Sequence, residues 1–109
     1  MKHGIAVLLT VVSAIASLAA RAQSDLNSQQ LEGMRHFNQS CRVCHTKPQM
    51  TSPQYGPPLS RVSLQGNEEA LKAFIANGSA RMPGFRYHFK PAEMEAIVSY
   101  LKTRPEPND

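Results

Sequence analysis

Cys41-Arg42-Val43-Cys44-His45 is the stretch on which the reading of this chain turns. Two thiols three residues apart lie on one helical turn, and the next residue carries an imidazole. From there the thiols can reach the two vinyl groups on one edge of a haem and add across them as thioethers. His45 is then close enough to place a ring nitrogen on the iron. C-x-x-C-H has this reading on chemical grounds. Cys41 and Cys44 are the only cysteines among the 109 residues, so no other pairing competes.

The plainer readings of C-x-x-C fare less well. A thioredoxin-like redox pair belongs beside a βαβ pattern, and no strand-helix alternation is visible. A four-ligand zinc site needs a second C-x-x-C or a spaced histidine pair, and His3, His36 and His88 lack that spacing. A disulfide between Cys41 and Cys44 is chemically open, but it leaves His45 without a task.

Upstream, Lys2 and His3 precede an uncharged run from Ile5 to Ala20, followed by Ala20-Arg21-Ala22. This is the pattern of a secretory signal, residues 1–22, with cleavage after about Ala22. An uncleaved anchor is the competing reading. A spanning helix, however, wants about 20 predominantly apolar residues, and Thr10, Ser13 and Ser17 interrupt a shorter run. Loss of Lys2 and Arg21 removes two of the net +4 charges. The remainder is too weakly basic for a nucleic-acid partner, and no aromatic-basic interleaving is present. Residues 23–103 form one short domain, which buries only a modest share of its surface. With no tryptophan and no spare disulfide, it needs the cofactor as part of its core.

Working outward from the motif, Asn27 and Gln30 read as a capping box. Leu31, Met34, Phe37 and Cys41 then give one face of a helix running into the motif. Gly33 inside it costs roughly 1 kcal/mol against alanine and marks a close approach. Residues 46–64 hold Pro48, Pro53, Pro57, Pro58 and Gly56 and read as an ordered loop. Asn67 caps the next helix, with Ala70, Leu71, Phe74 and Ile75 as its buried face and Asn77-Gly78 as its stop. A second loop, 79–90, contains Met82-Pro83-Gly84. Pro91 opens a last helix that carries Met94, Ile97, Val98 and Leu101 and ends near Thr103. Residues 104–109 read as a disordered tail. The expected class is all-α: three main helices and loops around one haem c.

An iron held by His45 needs a sixth-position ligand, and methionine or histidine is usual in electron carriers. Met34 and Met94 lie on apolar helix faces. Met50 follows His45 too closely to cross to the other haem face. His36 reads as exposed. Met82, in the loop between the last two helices and stiffened by Pro83, is the favoured ligand; His88 in the same loop is the runner-up.

With Cys41–His45, Gly56-Pro57-Pro58-Leu59 and Arg81-Met82-Pro83-Gly84-Phe85 in order, the chain resembles a small class I c-type cytochrome across nearly all of residues 23–103. The resemblance implies that His45 and Met82 are the metal ligands. It implies that the Pro57 carbonyl accepts the other ring N–H of His45, that Gly33 and Phe37 cross Tyr100 and Leu101, and that Tyr55 or Arg61 binds a haem propionate. The tryptophan that longer relatives place near the propionates is missing here. The function expected is periplasmic electron transfer, not catalysis. The haem cycles between Fe(II) and Fe(III) and serves redox proteins such as a dehydrogenase, an oxidase or other cytochromes, from a monomer with no membrane span after cleavage. Arg42, Lys47, Arg81, Arg86 and Lys90 lie near the two loops in sequence and would steer an acidic partner. The alternatives are a dedicated electron acceptor of a quinoprotein-type dehydrogenase and, from a different class, a haem sensor or peroxidase with an open sixth site.

Overall fold

The computed structural model describes residues 25–48 and 52–106. The signal-peptide reading of residues 1–22 and the Met50 candidate lie outside the described residues. Helix α1 spans Ser28–His36. Its start is local chemistry: Asn27 Oδ1 accepts from the Gln30 N–H at 2.8 Å, and Gln30 Oε1 accepts from the Asn27 N–H at 3.0 Å. Two otherwise orphaned donors are satisfied reciprocally. The helix runs on through a π-helical turn, Phe37–Cys41, into α2, Arg42–His45. Wide turns of this kind are rare and concentrate at functional sites.

A short 3₁₀ turn, Ser63–Gly66, precedes α3, Glu68–Asn77. Asn67 Oδ1 caps α3 by accepting from the Ala70 N–H at 3.0 Å, and Glu68 and Glu69 sit at its positive end. Gly78, at φ 69°, turns the chain out of the helix; a Cβ there would stand 2.2 Å from the Met82 carbonyl oxygen. Helix α4, Pro91–Leu101, starts on a proline, with the Glu93 carboxylate accepting from the Lys90 N–H at 2.7 Å. No strand occurs among the described residues, and the protein is all-α as expected.

The core forms where α1 crosses α4. Phe37, Ile97 and Leu101 are almost fully enclosed, joined by Leu71 and Ile75 of α3 and Phe89 of the second loop. Gly33 has the function its sequence position suggested, but against a different partner. A Cβ on Gly33 would lie 1.8 Å from the Ala96 carbonyl oxygen. The contact is therefore with Ala96 and Ile97, one turn before Tyr100. Phe37 does meet Tyr100, with ring centroids 5.6 Å apart. One turn back along α1 meets one turn back along α4.

Two other expectations are corrected. Arg104, assigned to a loose tail, is half-buried. Its Nε donates to the Leu59 carbonyl at 2.9 Å, its guanidinium sits 4.7 Å over the Phe37 ring, and its own carbonyl accepts from the Arg61 N–H at 3.1 Å. A planar cation can lie on an aromatic face while its edge donates, which proline-rich composition does not reveal. His36, expected at the surface, is half-buried, with its ring edge-on to Phe89 at 5.1 Å.

Candidate cofactor site

A cavity of about 370 Å3 opens between the two loops, within the range that holds small-molecule ligands. Leu71 and Ile75 of α3 and Leu101 of α4 supply apolar wall, as do Leu59 and Pro83 from the loops. Cys44 and His45 enter from α2, and Met82 from the second loop. The structure thus brings together on one cavity Cys44, His45, Pro57, Tyr55 and Met82, five of the seven residues that the sequence reading assembled.

His45 is held from two sides. Its Nδ1 lies 2.7 Å from the Pro57 carbonyl oxygen. A carbonyl can only accept, so Nδ1 carries a proton, and in the neutral ring Nε2 keeps its lone pair. The neighbouring loop packs on the ring: a Cβ at Gly56 would stand 2.9 Å from His45 Cε1 and Nδ1. Gly56 N–H donates to the Cys44 carbonyl at 2.8 Å, and Gln54 Nε2 donates to the Gly56 carbonyl at 2.8 Å. The residue as a whole is only 8% exposed. Its tautomer and orientation are set by protein, the arrangement common to metal-binding histidines.

Met82 is fixed by its backbone. Ser79 and Met82 exchange N–H···O bonds at 2.8 and 3.3 Å. Just beyond, the Phe85 and Arg86 N–H groups donate to Ile75 and Ala76 carbonyls of α3 at 2.8 and 3.2 Å. The loop is therefore stapled to a helix that itself forms cavity wall. His88, the runner-up ligand, is exposed, stacks its edge on Phe89 at 4.6 Å and is not part of the wall.

No disulfide joins the cysteines. Cys41 is buried in the core, and burial, with the nearby Cys44 charge second, pushes its thiol up to about 11. It is a neutral thiol at physiological pH. Redox-active cysteine pairs need the opposite shift, towards thiolate. Cys41 does not itself line the cavity; Cys44 does.

Sequence reasoning missed Arg81 as a wall residue. Its Nη2 donates to the Tyr55 carbonyl at 3.3 Å and its guanidinium lies 4.6 Å over the Tyr55 ring. Arg81 and Tyr55 thus clasp the two loops together at the cavity. Its position next to Met82 was the available signal. Leu64 was missed too. It contributes apolar wall from a left-handed backbone, φ 49°, a conformation costing roughly 1–2 kcal/mol for a side chain of this kind. Arg61, offered as a propionate contact, is not part of the wall; its Nη2 lies 3.6 Å from Glu106 Oε1.

An imidazole lone pair, a thioether and a thiol on one largely apolar cavity suit a haem: nitrogen and sulfur for iron, sulfur for a vinyl group, hydrocarbon for the macrocycle. The helical fold and this donor set define a small monohaem class I c-type cytochrome. The chain belongs to the family described as Cytochrome C oxidase, cbb3-type, subunit III, whose model matches residues 28–101. No match to this chain was found among curated proteins or among solved structures.

Proposed function

We propose that this chain is an exported electron carrier holding one haem c, covalently bound through Cys41 and Cys44 and ligated by His45 and Met82. The observation that carries the reading is the 2.7 Å bond from His45 Nδ1 to Pro57, which leaves Nε2 as a ligand on the cavity that Met82 also lines. When bound, the haem supplies a one-electron Fe(II)/Fe(III) couple.

The chain's own residues tune that couple. The Met82 thioether favours the reduced state, and methionine-histidine ligation raises the potential. The Pro57 carbonyl works in the other direction by making His45 a more basic ligand. The apolar wall of Leu59, Leu71, Ile75 and Leu101 penalises added positive charge and excludes water. The role carries no bond-making step and so no catalytic residue. Arg42, Lys47, Arg81, Arg86 and Lys90 are all exposed. They suit an acidic redox partner, such as a periplasmic dehydrogenase, an oxidase or another cytochrome, with attraction that fades as salt screens it. Among the described residues no helix is long and apolar enough to cross a membrane.

The test is an absorption spectrum of the protein exported from a host that attaches haem. A sharp α band on reduction, retained by the chain after acid-acetone, is the expected result. Colourless folded protein, or pigment that extracts, would overturn the reading. Rapid carbon monoxide binding to the reduced form would instead favour the open-site sensor or peroxidase.

A further inference from the structure

A cluster of metal-ligating side chains lies outside the cavity, where α1 crosses α4. Glu32 and His36 are one turn apart on α1, so their side chains share a face. Glu93 faces them from the first turn of α4. His36 Nε2 is 3.7 Å from Glu32 Oε1 and 3.9 Å from Glu93 Oε1, and the three ligand atoms all lie within 4.8 Å of one another. We propose that Glu32, His36 and Glu93 form a binding site for a divalent transition-metal cation, zinc above all.

The spacing supports this quantitatively. Zinc binds histidine nitrogen and carboxylate oxygen at about 2.0–2.2 Å, so ligand atoms on a tetrahedron stand roughly 3.4 Å apart. The two separations from His36 need to contract by about 0.3–0.5 Å, and the carboxylate–carboxylate separation, which is at most 4.8 Å, by up to about 1.4 Å. Glu32, whose side chain is 53% exposed, can supply its share by side-chain rotation alone. The other two ligands are already positioned. Glu93 Oε2 is occupied by the Lys90 N–H, which orients the carboxylate and leaves Oε1 towards His36. The His36 ring rests edge-on against Phe89, itself buried. The helix crossing is fixed by the approach of Gly33 to the Ala96 backbone, between the two ligands of α1 in sequence and one turn from Glu93 on α4. The ligands therefore come from two helices that cannot slide past each other.

The donor set selects the metal. One imidazole with two carboxylates suits zinc, copper, nickel or cobalt, whereas magnesium and calcium prefer oxygen throughout. Two carboxylates and a neutral imidazole cancel the charge of a divalent cation. Water completes the sphere, since all three side chains remain partly open to solvent.

The test uses haem-loaded protein, made without a polyhistidine tag and stripped with a chelator. Zinc is titrated by calorimetry and, in parallel, against a chromophoric indicator. The expected result is saturable binding of one ion. Even outer-sphere partners are worth about 10–100-fold in metal affinity. Glu32→Gln, His36→Gln and Glu93→Gln should therefore each weaken binding at least about ten-fold, while His88→Gln leaves it unchanged. The reduced absorption spectrum of each variant reports that it has folded. Absence of saturable binding, or binding that survives His36→Gln, or binding that depends on His88, would overturn the proposal.

Discussion

Replacing Arg104 by alanine removes contacts to three residues at once, Leu59, Phe37 and Tyr100, and the structure allows their worth to be worked out. The Nε–H donates to the Leu59 carbonyl at 2.9 Å, and a hydrogen bond with a charged partner contributes about 1.5–3 kcal/mol. The guanidinium lies 4.7 Å over Phe37 and 5.9 Å from the Tyr100 centroid. A cation on an aromatic face adds about 0.5–2 kcal/mol, depending on desolvation. Arg104 is half-buried and the terms share one side chain, so the expected loss is about 2–4 kcal/mol. Small domains lose stability at about 1–3 kcal/mol per molar urea. At a slope of about 2 kcal/mol per molar, the middle of that range, the urea midpoint of the haem-loaded protein should fall by roughly 1–2 M with an unchanged slope. Arg104→Lys keeps the charge but not the planar edge, and should lose most of the same amount. Truncation after Thr103 should cost more than the alanine variant, because it also removes the Arg104 carbonyl that accepts from the Arg61 N–H at 3.1 Å. A change within about 0.5 kcal/mol, the range of ordinary surface substitutions, would show that residue 104 is not part of the packed domain.

Gly33→Ala should destabilise despite better helix propensity. The new methyl would stand 1.8 Å from the Ala96 oxygen, so the helices must part. Overpacking costs about 1–3 kcal/mol against a gain of about 1 kcal/mol, visible as a lower thermal midpoint. On the proposed ligation, Met82→Ala should lower the midpoint potential and admit carbon monoxide to the reduced protein, while His88→Ala should do neither. Glu68 is held below the ordinary carboxylate range first by its hydrogen bond to Lys102 and then by that residue's charge. Its stabilising effect is complete above the ordinary carboxylate pKa and disappears as pH falls through the lowered value. Carboxyl titration by NMR should show Lys102→Met moving Glu68 back up, with added salt weakening the pairing.

Helix starts were legible in the sequence because their causes are local. Asn27 and Gln30, Asn67, and Pro91 act on backbone within three residues. Gly33 announced a helix contact, but not its register, since that depends on α4. The site was legible as far as short motifs carried it: Cys44 and His45, and Met82 beside Pro83, line one cavity, while Pro57 came from the family resemblance. Arg104 was misjudged because its partners, Leu59 and Phe37, are remote in sequence. Arg81 was taken for a surface cation because nothing local pairs it with Tyr55. The π-helical turn over Phe37–Cys41 and the left-handed Leu64 and Gln65 have no compositional mark. They are set by what the packed chain requires of its backbone.

The pairing of α1 with α4 joins the beginning of the domain to its end. Cys41 shares its core with Ile97 and Leu101, residues that a ribosome adds last. At about 5–20 residues per second, several seconds of synthesis pass before those partners exist, and such long-range closure slows folding further. Throughout that interval the first thiol has no finished interior to retreat into. The order of the chain thus leaves the Cys41 sulfur uncovered until the final helix arrives, whereas the Cys44 sulfur stays at the cavity afterwards.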